Sequence, residues 1–180
     1  MGVFSFAKDI GEKIFNRDDA KHDAKGETNA AANTPAPKAP ASTPAASANS
    51  EPSAQSVANL LLRRIQQQNV NISDLKIKYN GTTDTAEISG KAKTQADREK
   101  AIIAIGNVQN VARVVDSIDV EEDAPESTMY TVKSGDSLSK IAQTVYGSAN
   151  DYMKIFEANK PMLSEPDKIY PGQVLRIPKP

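Results

Sequence analysis

The sequence lacks cysteine and tryptophan, and it holds one histidine, His22, among 180 residues. Disulfide bonds, thiolate chemistry and cysteine-ligated zinc are therefore excluded. A single imidazole does not furnish a transition-metal ligand set, and no catalytic partner accompanies His22, so neither role is indicated for it. The net charge is −1, with 22 basic and 23 acidic residues. Nucleic-acid binding, which requires a basic surface, is not indicated either.

Long apolar runs are also missing. None approaches the roughly 18–20 residues that would cross a bilayer, so no transmembrane segment is expected. The chain starts MGVFSFAKDIGEKIF, in which charged residues interrupt the apolar ones and no continuous apolar core of an export signal forms. Phe6 stands where N-myristoylation requires Ser or Thr. We therefore expect a cytoplasmic protein.

Segment 1–16 is predicted to form a short amphipathic helix over residues 2–16. Its apolar stripe repeats every three or four residues, at Val3, Ala7, Ile10 and Ile14. A helix of this length is marginal in water, so we expect it to dock on another part of the chain. Residues 17–52 follow as a disordered linker that is rich in Ala, Pro and Ser and free of large apolar residues.

Residues 53–120 show the periodicities of helix, strand, strand, helix and strand, in that order. Asn80-Gly81 predicts a hairpin turn between the first two strands. Thr94 is in position to cap the second helix, and Gly106 is in position to end it. This order predicts a small α+β sandwich with its helices on one face of the sheet.

Residues 121–127, EEDAPES, are predicted to form a solvated acidic hinge, because they lack the alternating ligands and central glycine of an EF-hand loop. Residues 128–180 show the pattern of strand, helix, helix and strand. Asp136 or Ser137 is expected to cap the first of these helices, and Gly147 is expected to end it. The whole chain is thus predicted to be α+β, with two small domains.

The last segment contains YTVKSGDSLSKIAQ at its front and KIYPGQVLRIP at its back, and it resembles a LysM domain. The middle segment, with its order of elements and Gly90, resembles a BON domain. A short N-terminal helix with the pattern MGxFxFxKDxGEK, followed by these two domains, resembles the bacterial potassium-binding protein family. The resemblance implies a cytoplasmic monomer, not an enzyme, that binds K⁺ selectively over Na⁺ and becomes more ordered when it does.

The same resemblance implies that backbone carbonyls hold the ion, from the N-terminal helix and from the end of the second BON helix. By position, the candidate ligands are Ala7, Ile10, Gly106, Val108 and Val111. The last four carbonyls of a helix lack partners, that end carries about half a negative charge, and neutral carbonyls replace the hydration shell of K⁺. The neighbouring polar residues Asn107, Gln109 and Asn110 are expected to have few other duties. The simpler interpretation of Gly106 is a helix C-cap.

The LysM resemblance carries an alternative function, which is the binding of peptidoglycan or another N-acetylglucosamine polymer, such as chitin, in the cell envelope. Two loops of the domain would form the groove. Its residues would be Gly135, Asp136, Ser137, Leu138, Ile169, Tyr170 and Pro171, with the Tyr170 ring as a stacking surface. The simpler interpretation is that Asp136 and Ser137 cap a helix and that Tyr170-Pro171-Gly172 is a turn. A third hypothesis is an adaptor that lies on a membrane surface through the BON domain.

Overall fold

Two sheets and four α-helices make up the part of the chain that the computed structural model describes, residues 2–6 and 53–179. The predicted α+β class is confirmed. The linker predicted over residues 17–52 lies outside the described residues, as do residues 7–16 of the predicted first helix. Within the described ranges, no helix is long and apolar enough to cross a membrane.

Four strands and two helices form the first domain: β1 (Gly2–Ser5), α1 (Ala54–Gln66), β2 (Ile72–Asn80), β3 (Thr85–Thr94), α2 (Gln95–Gly106) and β4 (Arg113–Glu122). The strands lie in the order β1-β4-β3-β2. β3 and β4 run parallel and are joined by α2, whereas the other two pairs are antiparallel. The order of helix, strand, strand, helix and strand predicted for residues 53–120 is confirmed.

The helix predicted over residues 2–16 is wrong at its start, because Gly2–Ser5 form strand β1 along the edge of β4. The two phenylalanines of this segment pack on the core, while the side chain of Val3 is 64% exposed. Pairing continues one residue further, since Phe6 N donates to Ala112 O at 2.9 Å. The alternation of half-buried and exposed residues in β1 covers only four positions, so the helical spacing of the longer segment hides it. The backbone hydrogen bonds to β4 determine that these residues form a strand.

The core of the first domain lies between the sheet and the two helices. The buried residues of α1 repeat every four positions, as Val57, Leu61 and Ile65. Thr94 caps α2 as predicted, because its hydroxyl accepts a hydrogen bond from Asp97 N at 3.2 Å. The buried residues Ala101, Ile102 and Ile105 of α2 belong to the same core, so the C-terminal half of α2 packs on the sheet.

Gly90 lies opposite an irregularity in β2 between Ser73 and Lys76. Its φ is 156°, and a β-carbon there would come within 2.8 Å of Ser73 O. Because that close neighbour is backbone, a side chain at this position would displace the strand. The close approach of the β2 backbone therefore explains why position 90 is a glycine.

Two strands and two helices form the second domain: β5 (Thr128–Thr131), α3 (Leu138–Tyr146), α4 (Tyr152–Ala158) and β6 (Val174–Ile177), with a 3₁₀ turn at Ala149–Asp151. β5 and β6 pair antiparallel. The predicted order of strand, helix, helix and strand is confirmed. Ser137, not Asp136, caps α3, and Gly147 ends it in a left-handed conformation with a φ of 76°.

Helix α2 contributes to both domains. Its Ile102 and Ile105 belong to the core of the first domain, whereas Ile103 belongs to the core of the second. Phe6 packs against both cores. β4 runs two residues into the predicted hinge 121–127 before it ends. The C-terminal end of α2 is therefore the place where the N-terminal strand and the two domains meet.

Candidate functional site

The predicted ion-binding residues at the end of α2 lie in one tight loop, Gly106–Val111, which we call the α2–β4 loop. Val108 N donates into the last turn of α2, and Val111 N donates to Val108 O at 3.2 Å. Asn110 has a left-handed backbone with a φ of 69°. The structure thus brings Gly106, Val108 and Val111 together, and all three are buried.

Two carbonyl oxygens of the loop, those of Gly106 and Val111, accept no hydrogen bond from any residue in the described ranges. The Val108 carbonyl accepts one bond and has a second lone pair left. Buried carbonyls without partners are costly, and they lie at the negative end of the α2 dipole, so they suit a cation. No group of three or more His, Cys, Asp or Glu side chains that could hold a metal occurs in the described part of the chain.

The N-terminal segment arrives at this loop through Phe6. A β-carbon on Gly106 would overlap the Phe6 ring, which therefore lies directly on the end of α2. The predicted ligands Ala7 and Ile10 lie outside the described residues. Ala7 nevertheless follows Phe6 directly in the sequence, and Phe6 itself lies beside the α2–β4 loop.

The hairpin between β2 and β3 holds the far end of the loop. Tyr79 OH lies 2.6 Å from Asn110 O and 3.1 Å from Asp84 Oδ1. Asp84 O accepts the N–H of Ala112 at 2.8 Å and that of Arg113 at 3.2 Å. The partly buried Asp84 carboxylate thus adds negative charge near the loop. Sequence reasoning identified the hairpin but missed Tyr79 and Asp84, because Tyr79 OH and the backbone oxygen of Asp84 have partners about 30 residues away along the chain.

The second domain holds the near end of the loop through Asn107, which is only 3% exposed. Its Nδ2 donates to Val174 O at 2.9 Å, and its Oδ1 accepts from Val174 N at 2.9 Å. The Nδ2 atom also lies 3.3 Å from Met162 Sδ. The expectation that Asn107 has few other duties is therefore wrong, because its amide is fully used in the contact between the domains.

Glu99 makes the second polar link between the domains. Its side chain is 3% exposed, and it pairs with the guanidinium of Arg176 on β6. Gln95 Nε2 donates to the same carboxylate at 2.9 Å, and Ser127 N donates at 2.7 Å. Burial alone would raise the pKa of Glu99, but the bonds from Arg176, Gln95 and Ser127 outweigh it and hold the pKa below its ordinary value. Sequence reasoning gave no sign of this pair, whose members are 77 residues apart.

The loops predicted to form a glycan groove use most of their polar atoms internally. Ser137 Oγ accepts from Lys140 N at 3.3 Å, and Gly135 O accepts from Lys140 Nζ at 2.8 Å. The Asp136 carboxylate accepts from Lys133 N at 2.8 Å, and that bond is the main reason why the pKa of Asp136 is lowered. The cap interpretation of Ser137 is confirmed, whereas glycan binding stays a prediction.

The other predicted groove residues are also engaged in contacts within the second domain. Leu138 is 2% exposed and belongs to the core. Tyr170 N donates to Gln173 Oε1 at 3.1 Å, and Gln173 N donates to Tyr170 O at 3.0 Å, which closes the turn around Pro171. Ile169 packs against the core of the second domain and is partly buried. The turn interpretation of these residues is confirmed.

Comparisons with known proteins agree with this architecture. The LysM domain family matches residues 130–178. Potassium binding protein Kbp of Escherichia coli is 39% identical over 179 residues, which is 99% of this chain and 99% of that protein. An uncharacterized protein of Deinococcus radiodurans is 55% identical over 60 residues, which is 33% of this chain and 22% of that protein. The predicted LysM domain is confirmed, and the BON resemblance of residues 53–120 stays a prediction.

Proposed function

This chain belongs to the bacterial potassium-binding protein family, and we propose that it binds K⁺ itself, as a sensor or buffer that becomes more compact with the ion. The observation that carries the proposal is the pair of buried carbonyls, of Gly106 and Val111, which have no donor in the described ranges. The ligand set consists of backbone oxygens, with Val108 O as a third from the same loop.

Neutral carbonyls suit K⁺ because this large, singly charged ion gives up its hydration shell at a moderate cost. The end of the α2 helix supplies about half a negative charge, and the nearby Asp84 carboxylate supplies more. A smaller Na⁺ ion costs more to dehydrate and would need the oxygens to move inward. The loop resists that movement, since Tyr79 and Asn107 hold its two ends. Selectivity for K⁺ over Na⁺ follows from this rigidity.

The remaining ligands in the proposal are the carbonyls of Ala7 and Ile10. The position of Phe6 on Gly106 supports them, because it delivers the chain to the loop one residue before Ala7. Binding would then tie the N-terminal segment to the first domain, and an ion that binds only the folded state stabilises it. The proposal includes a monomeric, non-enzymatic protein in the cytoplasm, which cell fractionation and sedimentation would check.

Thermal unfolding in different salts tests the proposal. Metal-stripped protein is melted in KCl, NaCl and choline chloride at equal ionic strength, so that general screening is the same in all three. Small-angle scattering in the same buffers measures the radius of gyration. We expect a higher melting temperature and a smaller radius in KCl alone. Identical curves in KCl and NaCl would remove the idea of a selective K⁺ site.

The match of residues 130–178 to LysM favours one alternative, a peptidoglycan-binding protein of the cell envelope. Its groove would use the loops around Asp136 and Tyr170. Co-sedimentation with purified sacculi tests it, with a Tyr170→Ala variant as the specificity control. Sedimentation of the wild type but not of the variant would support glycan binding, and the absence of any co-sedimentation would rule it out.

A further inference from the structure

We propose that Asn107 is the positioning residue through which the α2–β4 loop and the LysM domain stabilise each other. The inference rests on the proposed K⁺ site and extends it to the second domain. When K⁺ fixes the loop, Asn107 holds strand β6 in place, and the LysM sheet opens less often. In return, the docked LysM domain keeps the loop in the geometry that binds the ion.

The proposal is based on the hydrogen bonds at the outer edge of β6. β5 pairs with one edge of this strand, and the other edge presents the backbone groups of Val174 and Arg176. Asn107 bonds the N–H and C=O of Val174, both at 2.9 Å. Asn159 bonds the C=O and N–H of Arg176 in the same way, at 2.7 and 2.8 Å. Two buried amides thus replace a neighbouring strand and leave no unpaired edge at these residues.

The two asparagines make the same kind of hydrogen bonds to β6, but they belong to different domains. Asn159 is the C-cap of α4, inside the LysM domain, whereas Asn107 is the C-cap of α2, in the first domain. Asn107 also lies between two of the proposed ligand residues, Gly106 and Val108. Of this pair, only Asn107 can therefore carry a change in the loop to β6.

The rest of α2 makes the link stiff. The residues that contact the LysM domain recur every four positions and are all buried: Glu99, Ile103 and Asn107. Glu99 pairs with Arg176, so Glu99 of α2 and the C-cap Asn107 contact β6 at strand positions two apart. Because both contacts are with one strand, we expect a rotation of the last peptide groups of α2 to move β6.

Burial makes the link sensitive to geometry. The Asn107 amide keeps both of its bonds to Val174 in one orientation, and a turned peptide plane in the loop breaks at least one of them. A buried N–H or C=O without a partner is strongly unfavourable. In the proposal, the ion-bound and the ion-free loop therefore differ in their contact with β6, and linkage requires that the effect of K⁺ on β6 equals the effect of β6 on K⁺ binding.

Amide hydrogen exchange of the full chain tests the inference, with and without K⁺ at constant ionic strength. The readout is the exchange rate of the β5 and β6 amides, measured by NMR. The variant is Asn107→Leu, and the control is Asn159→Leu, which removes the equivalent two bonds to Arg176 on the same strand, together with a bond to Ile155 O inside α4. K⁺ affinity of each protein is measured by calorimetry on the same samples.

We expect K⁺ to slow exchange in β5 and β6 about tenfold in the wild type and in Asn159→Leu, although the control exchanges faster in both salts. In Asn107→Leu, K⁺ slows exchange less than about twofold, and the K⁺ affinity falls by about the factor of protection that was lost. A merely structural role for Asn107 would change the basal rates and leave the response to K⁺ intact.

Two results would overturn the inference in different ways. Equal K⁺ protection in Asn107→Leu and the wild type would refute the coupling and leave the K⁺ site standing. No K⁺ binding by the wild type would refute the proposed function and the inference together. If Asn107→Leu does not fold, Asn107→Ser replaces it, because its short neutral side chain does not reproduce the two bonds to Val174 and adds no charge beside the proposed cation site.

Discussion

Phe6 lies on Gly106 so closely that a β-carbon on the glycine would overlap the aromatic ring. The same ring packs against the cores of both domains. Through this one contact, the N-terminal strand, the end of α2 and the LysM domain depend on one another. The missing side chain at position 106 therefore has a packing reason, whereas the C-cap that the sequence predicted at Gly106 is wrong, because Asn107 caps α2.

Gly106→Ala should displace the Phe6 ring from between the cores. Overpacking of this kind costs about 1–3 kcal/mol, against a gain of about 1 kcal/mol in helix propensity, so we expect a net loss of stability and a weaker K⁺ response. Urea unfolding with and without K⁺ measures both. Gly81→Ala is the control, because a β-carbon at Gly81 would lie 3.6 Å from Tyr79 in ordinary contact. A fully stable Gly106→Ala protein with a normal K⁺ response would contradict the packing argument.

Tyr79→Phe removes the hydroxyl that holds Asn110 O at 2.6 Å. We expect a loss of about 1 kcal/mol in stability and a smaller preference for K⁺ over Na⁺, because the loop can then contract. Tyr146→Phe is a matched control, since its hydroxyl donates to Pro178 O at 2.6 Å, away from the loop. The control should lose similar stability and keep its selectivity. Unchanged selectivity in both variants would show that the hairpin does not shape the site.

The pair of Glu99 and Arg176 should make stability depend on pH. The pKa of Glu99 is held below its ordinary value of 4.5, so the unfolded chain binds the proton more readily. The stabilisation is complete above the unfolded pKa and is lost as the pH falls through the folded pKa. Free energies of unfolding measured from about pH 7 down to about pH 3 should fall at the acid end, and Glu99→Gln should flatten that part of the curve.

Glu99→Gln should also lower stability at neutral pH, because loss of one partner from a buried ion pair costs about 3–5 kcal/mol. The control is Glu157→Gln, whose side chain is 66% exposed and lies 4.0 Å from Lys160 Nζ. An exposed pair of this kind contributes at most about 1 kcal/mol. If the two variants have the same stability and the same pH profile, the link between α2 and β6 is weaker than its geometry indicates.

Deletion of residues 1–16 should abolish the response to K⁺, because it removes strand β1, Phe6 and the proposed ligands Ala7 and Ile10. It also exposes the edge of β4, so the remaining protein should be less stable in every salt. Melting curves in KCl and NaCl measure both effects. Val3→Thr in the full chain is the control, since that side chain is 64% exposed, and its K⁺ response should be normal. A K⁺ response that survives the deletion would place the site elsewhere.

Local patterns were enough for most of the fold. Helical spacing in α1, the cap at Thr94 and the presence of a hairpin turn after Asn80 depend on neighbours within a few residues, so they can be read from the sequence, although the turn covers residues 81–84 and not Asn80-Gly81 alone. Strand β1 was missed, because its conformation depends on pairing with β4 more than 100 residues away. Tertiary pairing of this kind overrides a weak helical pattern.

The candidate site was only partly predictable for the same reason. A glycine at the end of α2 indicated where carbonyls would be free, and the structure places Gly106, Val108 and Val111 in one buried loop. The hydrogen bonds of Asn107 depend on Val174, 67 residues further on, and an isolated polar residue after a helix gives no sign of such a partner. The contacts that hold the loop are therefore long-range, whereas three of the proposed ligands lie close together in the sequence.

Isothermal titration of the metal-stripped full chain is the most direct test of the K⁺ site. KCl, RbCl, CsCl and NaCl are titrated separately into a choline buffer, and KCl is titrated again against excess NaCl. We predict a single saturable site for K⁺ that excess Na⁺ does not displace, with no heat of binding for NaCl. Saturation by NaCl at the same concentration as KCl, or no saturation by KCl, would contradict a selective carbonyl site at the end of α2.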